Sequence, residues 1–286
     1  MGFLNNYSPL RYPGGKAAIA GFFVRMLDQY AISSKGTYCE PFAGGAGVAL
    51  TLLLTSRVSN IVINDYDKSI VAFWLSVINE TEALIDMIER TDISIKEWDR
   101  QRSIYKTADN LNLSCKQDCL LLGFAVFYLN RCNRAGILPK AGPIGGRSQR
   151  GRYKIDARFI KERLITRIQN IARFKDNIQI THLDAIEFLQ QIPKITSTPN
   201  DTFLYLDPPY YHKGEKLYLN AYKHEDHLKL ARFINDFSFC PWIMTYDDCP
   251  EVRDIYGSFS DVIIEQLPIN YSMQKVRKTS EILIHK

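Results

Sequence analysis

An aspartate, two prolines and a tyrosine, Asp207-Pro208-Pro209-Tyr210, close an apolar run, Phe203-Leu204-Tyr205-Leu206, that reads as a buried strand. Proline gives a sheet ladder no N–H, so the strand must stop there. A carboxylate followed by a rigid turn suits the carboxyl edge of an α/β sheet, where ligands bind in that architecture. The chemistry that fits such a ledge is methylation of an exocyclic amine on a nucleobase. The lone pair of that amine is delocalised into the ring, which makes it a weak nucleophile. An ionised Asp207 and the carbonyl of Pro208 could each accept one N–H and draw the nitrogen toward tetrahedral geometry, stabilising the charge that develops in the transition state. Pro208 and Pro209 fix backbone angles and so aim the carbonyl in advance. Tyr210 offers an aromatic face to a base swung out of its stack. A plain strand-to-turn segment would carry the same letters, so the context decides.

Such a ledge needs a second wall. Thr37-Tyr38-Cys39-Glu40-Pro41-Phe42-Ala43-Gly44-Gly45-Ala46-Gly47 reads as a strand and a glycine turn, followed by an apolar helix to about residue 54. Asn60-Ile61-Val62-Ile63-Asn64-Asp65 reads as a second strand ending in an acid. Strand, glycine turn, helix, strand and acid open a Rossmann-like unit, in which glycines let backbone approach the ligand and the acid accepts ribose hydroxyls. A plain tight turn is the bland alternative. The last glycine of the dinucleotide fingerprint is missing, because Leu50 stands there. Adenosine with an amino-acid tail fits as well as a pyrophosphate.

Further strands are expected at 177–184, ending in Asp184, at 241–247, 262–267 and 281–284, with helices at 17–27, 185–191 and 224–237. Alternation of strands and helices predicts an α/β fold with a mostly parallel sheet. The last two strands, with only a loop between them, predict an antiparallel edge hairpin. The stretch from about 80 to 167 interrupts this rhythm, with helices expected at 117–130 and 157–174 and a Gly/Pro-rich loop between them. From Arg131 to Arg167 there are eleven Lys/Arg against two acids, Asp156 and Glu162. Such a local excess is the footprint of a phosphate-contacting face. Arg131, Asn133, Arg134, Arg147, Gln149, Arg150 and Arg152 are the candidates for phosphate contact and base reading. A solvated charged loop is the alternative.

Composition sets the frame. The chain has 286 residues, 46% hydrophobic and 23% charged, with a mild net charge of +5. It shows neither a run of eighteen apolar residues nor a charged-then-apolar leader, so a membrane span and a secretory signal are not expected and the chain reads as cytoplasmic. Six cysteines without a Cys-x-x-Cys pair read as buried thiols, with no metal expected. A pair of ligands at His224 and His227 is the weak exception.

Taken together, Arg11-Tyr12-Pro13-Gly14-Gly15-Lys16, Glu40-Pro41-Phe42-Ala43-Gly44-Gly45-Ala46-Gly47, Asn64-Asp65 and Asp207-Pro208-Pro209-Tyr210 resemble, in that order, the Dam-like DNA adenine methyltransferases of the alpha motif arrangement. The resemblance implies a Rossmann-like S-adenosylmethionine methyltransferase fold, divided into a cofactor-binding part at 1–80, a helical target-recognition insert at 81–167 and a catalytic part at 168–286. It implies S-adenosylmethionine as cofactor, with Tyr12 and Lys16 near its methionine end, Glu40, Phe42, Ala43 and Gly44 lining its pocket, Asp65 on the ribose and Asp184 near the adenine. Asp207, Pro208 and Tyr210 would be catalytic, and Tyr271, Arg277 and Lys278 would touch DNA or cap the base.

The activity so implied is site-specific methylation of adenine N6 in duplex DNA by base flipping, with a monomer as the default state and a cognate restriction endonuclease as a candidate partner. The rival readings are methylation of cytosine in DNA or guanine in ribosomal RNA, a dinucleotide-dependent oxidoreductase, and a non-catalytic DNA-binding relic. The oxidoreductase leaves Asp207-Pro208-Pro209-Tyr210 unexplained. An intact acid, prolines and tyrosine weigh against the relic.

Overall fold

The computed structural model describes residues 7–12, 16–139, 141–212, 222–267 and 281–286, with Ala17 and Ala18 as backbone only. Pro13, Gly14, Gly15, Tyr271, Arg277 and Lys278 lie outside the described residues.

The apolar runs become strands of one seven-stranded sheet: β1 Thr37–Glu40, β2 Asn60–Asn64, β3 Ile178–Thr181, β4 Thr202–Leu206, β5 Trp242–Asp247, β6 Ile263–Gln266 and β7 Glu281–His285. Their order is β3-β2-β1-β4-β5-β7-β6. The first five pair in parallel, while β7 runs antiparallel between β5 and β6. The mostly parallel sheet and the antiparallel edge hairpin are both present.

Strands β1, β2, β4 and β5 are buried along nearly their whole length because both faces are covered, while the edge strand β3 is only partly buried. Tyr38, Phe203 and Tyr205 enter one core cluster. Their alternate neighbours Cys39, Leu204 and Leu206 enter the other. The chain runs from β1 outward to β2 and β3, then returns to lay β4 on the other side of β1. That reversal opens a crevice between the carboxyl ends of β1 and β4, the usual ligand position in such sheets. Glu40 and Asp207 stand at those two ends.

The helices are α1 Ala20–Gln29, preceded by a 3-10 turn at Lys16–Ile19, α2 Gly47–Leu54, α3 Lys68–Asn79, α4 Thr81–Arg90, α5 Ile95–Lys106, α6 Lys116–Cys132, α7 Lys161–Ala172, α8 Ala185–Ile195, α9 His224–Asp236 and α10 Pro250–Gly257. Among these, α3, α4, α5 and α10 are additions to the sequence reading. Asp67 starts α3 by accepting from the Ser69 N–H at 2.9 Å. The helix is buried over most of its circumference, so no stripe marks it. It carries α6 against the sheet core: Phe73 stacks on Phe127 with centroids 5.8 Å apart. Gly123 of α6 permits the approach, since a Cβ there would lie 2.7 Å from the Ala72 carbonyl oxygen. Helices α4 to α7 thus bury their apolar sides in the same cluster as α3. All six cysteines are free thiols, and all but Cys115 are buried. Among the described residues no helix is long and apolar enough to cross a membrane.

Candidate active site

The glycine turn after β1 is shaped by left-handed backbone: Gly44 and Ala46 each have φ of 46°. A side chain at Gly44 would collide with Tyr12, whose ring atoms lie 2.6 Å from the place of a Cβ. Asp65, at the end of β2, accepts from the Gly44 N–H at 2.8 Å and from the Asp67 N–H at 2.9 Å. The Trp74 indole donates to the Gly44 carbonyl at 2.9 Å and closes the turn from behind. Asn64 fastens three loops together. Its amide donates to the carbonyls of Pro41 and Leu183, both at 3.0 Å, and its oxygen accepts from the Leu183 N–H at 2.9 Å. Asp184 then starts α8 by accepting from the Ile186 N–H at 2.8 Å.

Two acids on this wall are held under electrostatic strain. Glu40 is 4% exposed and accepts from the Ala49 N–H at 3.2 Å. Burial pushes its carboxyl up to about 8. Burial, aided by the Asp67 charge, pushes Asp65 up to about 7.

The opposite wall is built around Lys16, a lysine only 3% exposed. Its ammonium lies 3.2 and 3.3 Å from the two oxygens of Asp207, 3.3 Å from the Tyr210 hydroxyl and 3.4 Å from Glu281. Tyr210 donates in turn to Glu281. Thr245 on β5 donates to Asp207 at 2.9 Å, and its own hydroxyl shares a 2.7 Å bond with Tyr205. Burial raises the Glu281 pKa while Lys16 draws it down. One lysine therefore bridges an acid on β4 and an acid on β7, and the tyrosine ring is anchored by its oxygen. Pro208 is buried between them.

Between the walls lies a cavity of about 680 Å³. It is lined by Tyr12, Lys16, Glu40, Phe42, Ala43, Asp65, Asp184 and Asp207 of the sequence-derived set. Gly44 stands in the turn behind, between Asp65 and Trp74. Phe42 meets Tyr222 edge to face at 5.8 Å. The described lining holds six acids, Glu40, Asp65, Asp67, Asp184, Asp207 and Asp226, against Lys16 and Lys229. Such a chamber is matched to a cationic, partly apolar guest. Sequence reasoning missed Glu281 and Thr245, and named Asn64 in a motif without giving it a role. An acid opening the apolar run Ile282-Leu283-Ile284 was the one available signal for Glu281.

The candidates in the basic stretch part company. Arg150 and Arg152 are exposed, and Arg152 lies over the Tyr153 ring at 5.5 Å. Arg134 is exposed too. Arg147 is held by Asp99 through two 2.8 Å bonds. Arg131 is partly buried and donates to backbone carbonyls of Arg158 and Pro9. Asn133 corrects the base-reading expectation. It is 1% exposed, takes the Trp98 indole N–H at 2.7 Å and gives its amide to Ile137 at 2.7 Å, so no edge is left for a base. Gln149 is likewise spent on its own loop, donating to Ile144 and Gly146 and accepting from the Ile155 N–H. His224 and His227 face different partners, Tyr211 and Tyr246. Burial lowers His227 to about 4.

A model of the D12 class N6 adenine-specific DNA methyltransferase family matches residues 12–268. Two structures of the rRNA methyltransferase aviRa from Streptomyces viridochromogenes, at 1.5 and 2.4 Å, are similar over 94% of this chain and 84% of that chain. Their identities are 13% and 14%, with TM-scores of 0.40 and 0.39. Comparison with curated proteins gives no match.

Proposed function

We propose that the chain, which belongs to the D12 class N6 adenine-specific DNA methyltransferase family, takes the methyl group from S-adenosylmethionine and works on a base turned out of the duplex, with Asp207, Pro208 and Tyr210 around the accepting nitrogen. Membership makes the protein an enzyme that methylates adenine at N6 in DNA.

The observation that carries the mechanism is Asp207 at the end of β4, across one cavity from the glycine turn and the two strained acids. The cavity fits the cofactor in size and in charge, since six acids face a guest bearing an ammonium and a sulfonium. When bound, S-adenosylmethionine supplies an electrophilic methyl on a positive sulfur. Glu40, Tyr12 and Lys16 would take its amino-acid end, Asp65 its ribose and Asp184 its adenine. Phe42 and Tyr222 would hold the rings. Binding a cation beside Glu40 and Asp65 offsets their desolvation and draws both toward the ionised form.

Asp207 and the Pro208 carbonyl then accept the two hydrogens of the adenine amine. Tyr210, its hydroxyl tied to Glu281, presents a fixed face to the base. Alignment of donor and acceptor atoms is the main source of rate in a direct displacement, and Asp207 stabilises the positive charge arriving on nitrogen. The proton shed by the product passes to Asp207 or to water. In this reading the enzyme acts as a monomer, with residues 81–167 supplying target recognition.

The test compares wild type with Asp207→Ala on unmethylated genomic DNA, with modified nucleosides quantified by mass spectrometry. Wild type should yield N6-methyldeoxyadenosine, and the variant should lose at least about 100-fold in kcat, as when one oxyanion-hole donor is removed. Lys16 retains Glu281 as counter-ion in the variant, so folding and cofactor binding should survive. Methylated cytosine as the product, or full activity of the variant, would overturn the assignment.

A further inference from the structure

We propose that a cluster of five arginines, Arg11, Arg131, Arg158, Arg163 and Arg167, binds the DNA phosphates beside the target base, a role the sequence alone gave mainly to the loop at 147–154; this rests on the DNA-methylating reading above.

The cluster begins at the rim of the cavity. Arg11 lies between Leu10 and Tyr12, which both line it. The Arg11 backbone is clipped to Asn130, another lining residue, by bonds of 2.7 and 2.8 Å. Three of the guanidinium groups are aimed by main-chain carbonyls. Arg11 donates to Asn133 at 3.0 Å, Arg131 to Arg158 at 2.7 Å and to Pro9 at 3.4 Å, and Arg167 to Ser8 at 2.9 Å. Arg11 and Arg167 each spend one bond this way and leave most of their N–H donors unspent.

Among the described residues none of the five forms an ion pair with a carboxylate. Asp156 and Glu162 are exposed acids of the same stretch and make no such pair. Cations grouped without an acid disfavour one another. Burial first, then Arg158, lowers Arg11. Burial first, then Arg11 and Arg167, lowers Arg131 to about 10. Burial first, then Arg163, lowers Arg167.

A fold that keeps partly buried cations at mutual cost is poised for an anion of closely spaced charges. In this enzyme that anion is the nucleic-acid backbone. The loop offers less: Arg147 already has its carboxylate in Asp99, and Gln149 is consumed internally.

The experiment measures binding of a duplex of about 30 base pairs by fluorescence anisotropy across a salt series. The proteins are wild type, Arg158→Gln/Arg163→Gln, Arg131→Gln and Arg147→Gln, with cofactor affinity and DNA methylation measured in parallel. Each phosphate contact removed should reduce the log–log salt slope by about 0.9. The double variant should therefore bind about 10-fold or more weakly at about 0.15 M salt, with a slope flatter by about 1.8 and unchanged cofactor affinity. Arg147→Gln should change both less. Arg158 and Arg163 are exposed, so the double variant decides the matter even if Arg131→Gln fails to fold. Unchanged slopes in the variants, beside a wild type that methylates DNA, would overturn the cluster and leave the proposed function standing. A wild type that neither binds nor methylates DNA would overturn both.

Discussion

Glu40 provides the sharpest test of the pocket's electrostatics, because an acid buried without a cation must cost the empty protein stability. Its ordinary pKa of 4.5 rises to about 8 in the fold. At 1.36 kcal/mol per pKa unit that gap is about 5 kcal/mol of penalty on the ionised form. The folded state therefore binds the proton more tightly than the unfolded chain does. It follows that stability falls as pH rises from about 4.5 to about 8. His227, lowered to about 4, contributes the opposite slope below its ordinary value of 6.5. The informative quantity is thus the difference between wild type and Glu40→Gln, which mimics the protonated acid and still accepts from Ala49.

Urea unfolding without cofactor, at about pH 5.5 and about pH 8.5, should show the variant gaining on wild type by about 3 kcal/mol between the two. The same linkage predicts that cofactor binding releases protons below pH 8, and that in Glu40→Gln this release falls to the share that Asp65, raised to about 7, contributes. Calorimetry in buffers of different ionisation enthalpy reads it directly. A stability difference constant with pH to within about 1 kcal/mol would show that Glu40 titrates normally and would refute the reasoning.

Two further perturbations probe the remaining walls. Lys16→Met leaves Asp207 and Glu281 facing each other without their shared cation, which should cost on the order of 3 kcal/mol in chemical denaturation and abolish turnover. Adding Glu281→Gln should restore most of that stability; a double variant as unstable as the single would remove the bridging role. Gly44→Ala puts a Cβ 2.6 Å from the Tyr12 ring at φ +46°, and should weaken cofactor binding at least 10-fold by about 1.4 kcal/mol or more. An unchanged cofactor Kd would mean that Tyr12 does not shape the pocket.

The sequence made the sheet legible because its central strands β1, β2, β4 and β5 are buried on both faces and end abruptly. Cys39-Glu40 and Leu206-Asp207 each pass from apolar to acidic at one peptide bond, Ile63-Asn64-Asp65 does so within two, and each acid lines the cavity. Helix α3 escaped because Ile70, Val71, Ala72, Phe73 and Trp74 are all buried and leave no 3.6-residue rhythm. Helix α10 starts on Pro250, a start signal that the short stretch between two strands obscured. Asn133 and Gln149 were misplaced for a different reason. Amides in a glycine-rich loop can read bases or satisfy their own backbone, and only the folded loop shows which demand is met. The Lys16–Glu281 contact joins opposite ends of the chain, and no local pattern encodes such a pairing.

On the proposed reading, the distribution of charge keeps cofactor and nucleic acid from competing for one surface. The reaction moves a positive charge from sulfur to nitrogen without creating any, so a chamber with six acids suits reactant and product alike. The same chamber repels phosphate, so the duplex backbone must be held elsewhere. The arginine cluster begins on the rim, where Arg11 lies between lining residues, and supplies the opposite sign. In the proposed mechanism, a base that leaves the stack travels from a cationic rim into an acidic pocket as a neutral group, the one part of the substrate that neither field opposes. Inside, Lys16 and Lys229 break the pattern, and the two carboxylates beside Lys16 cancel its charge as seen from the base.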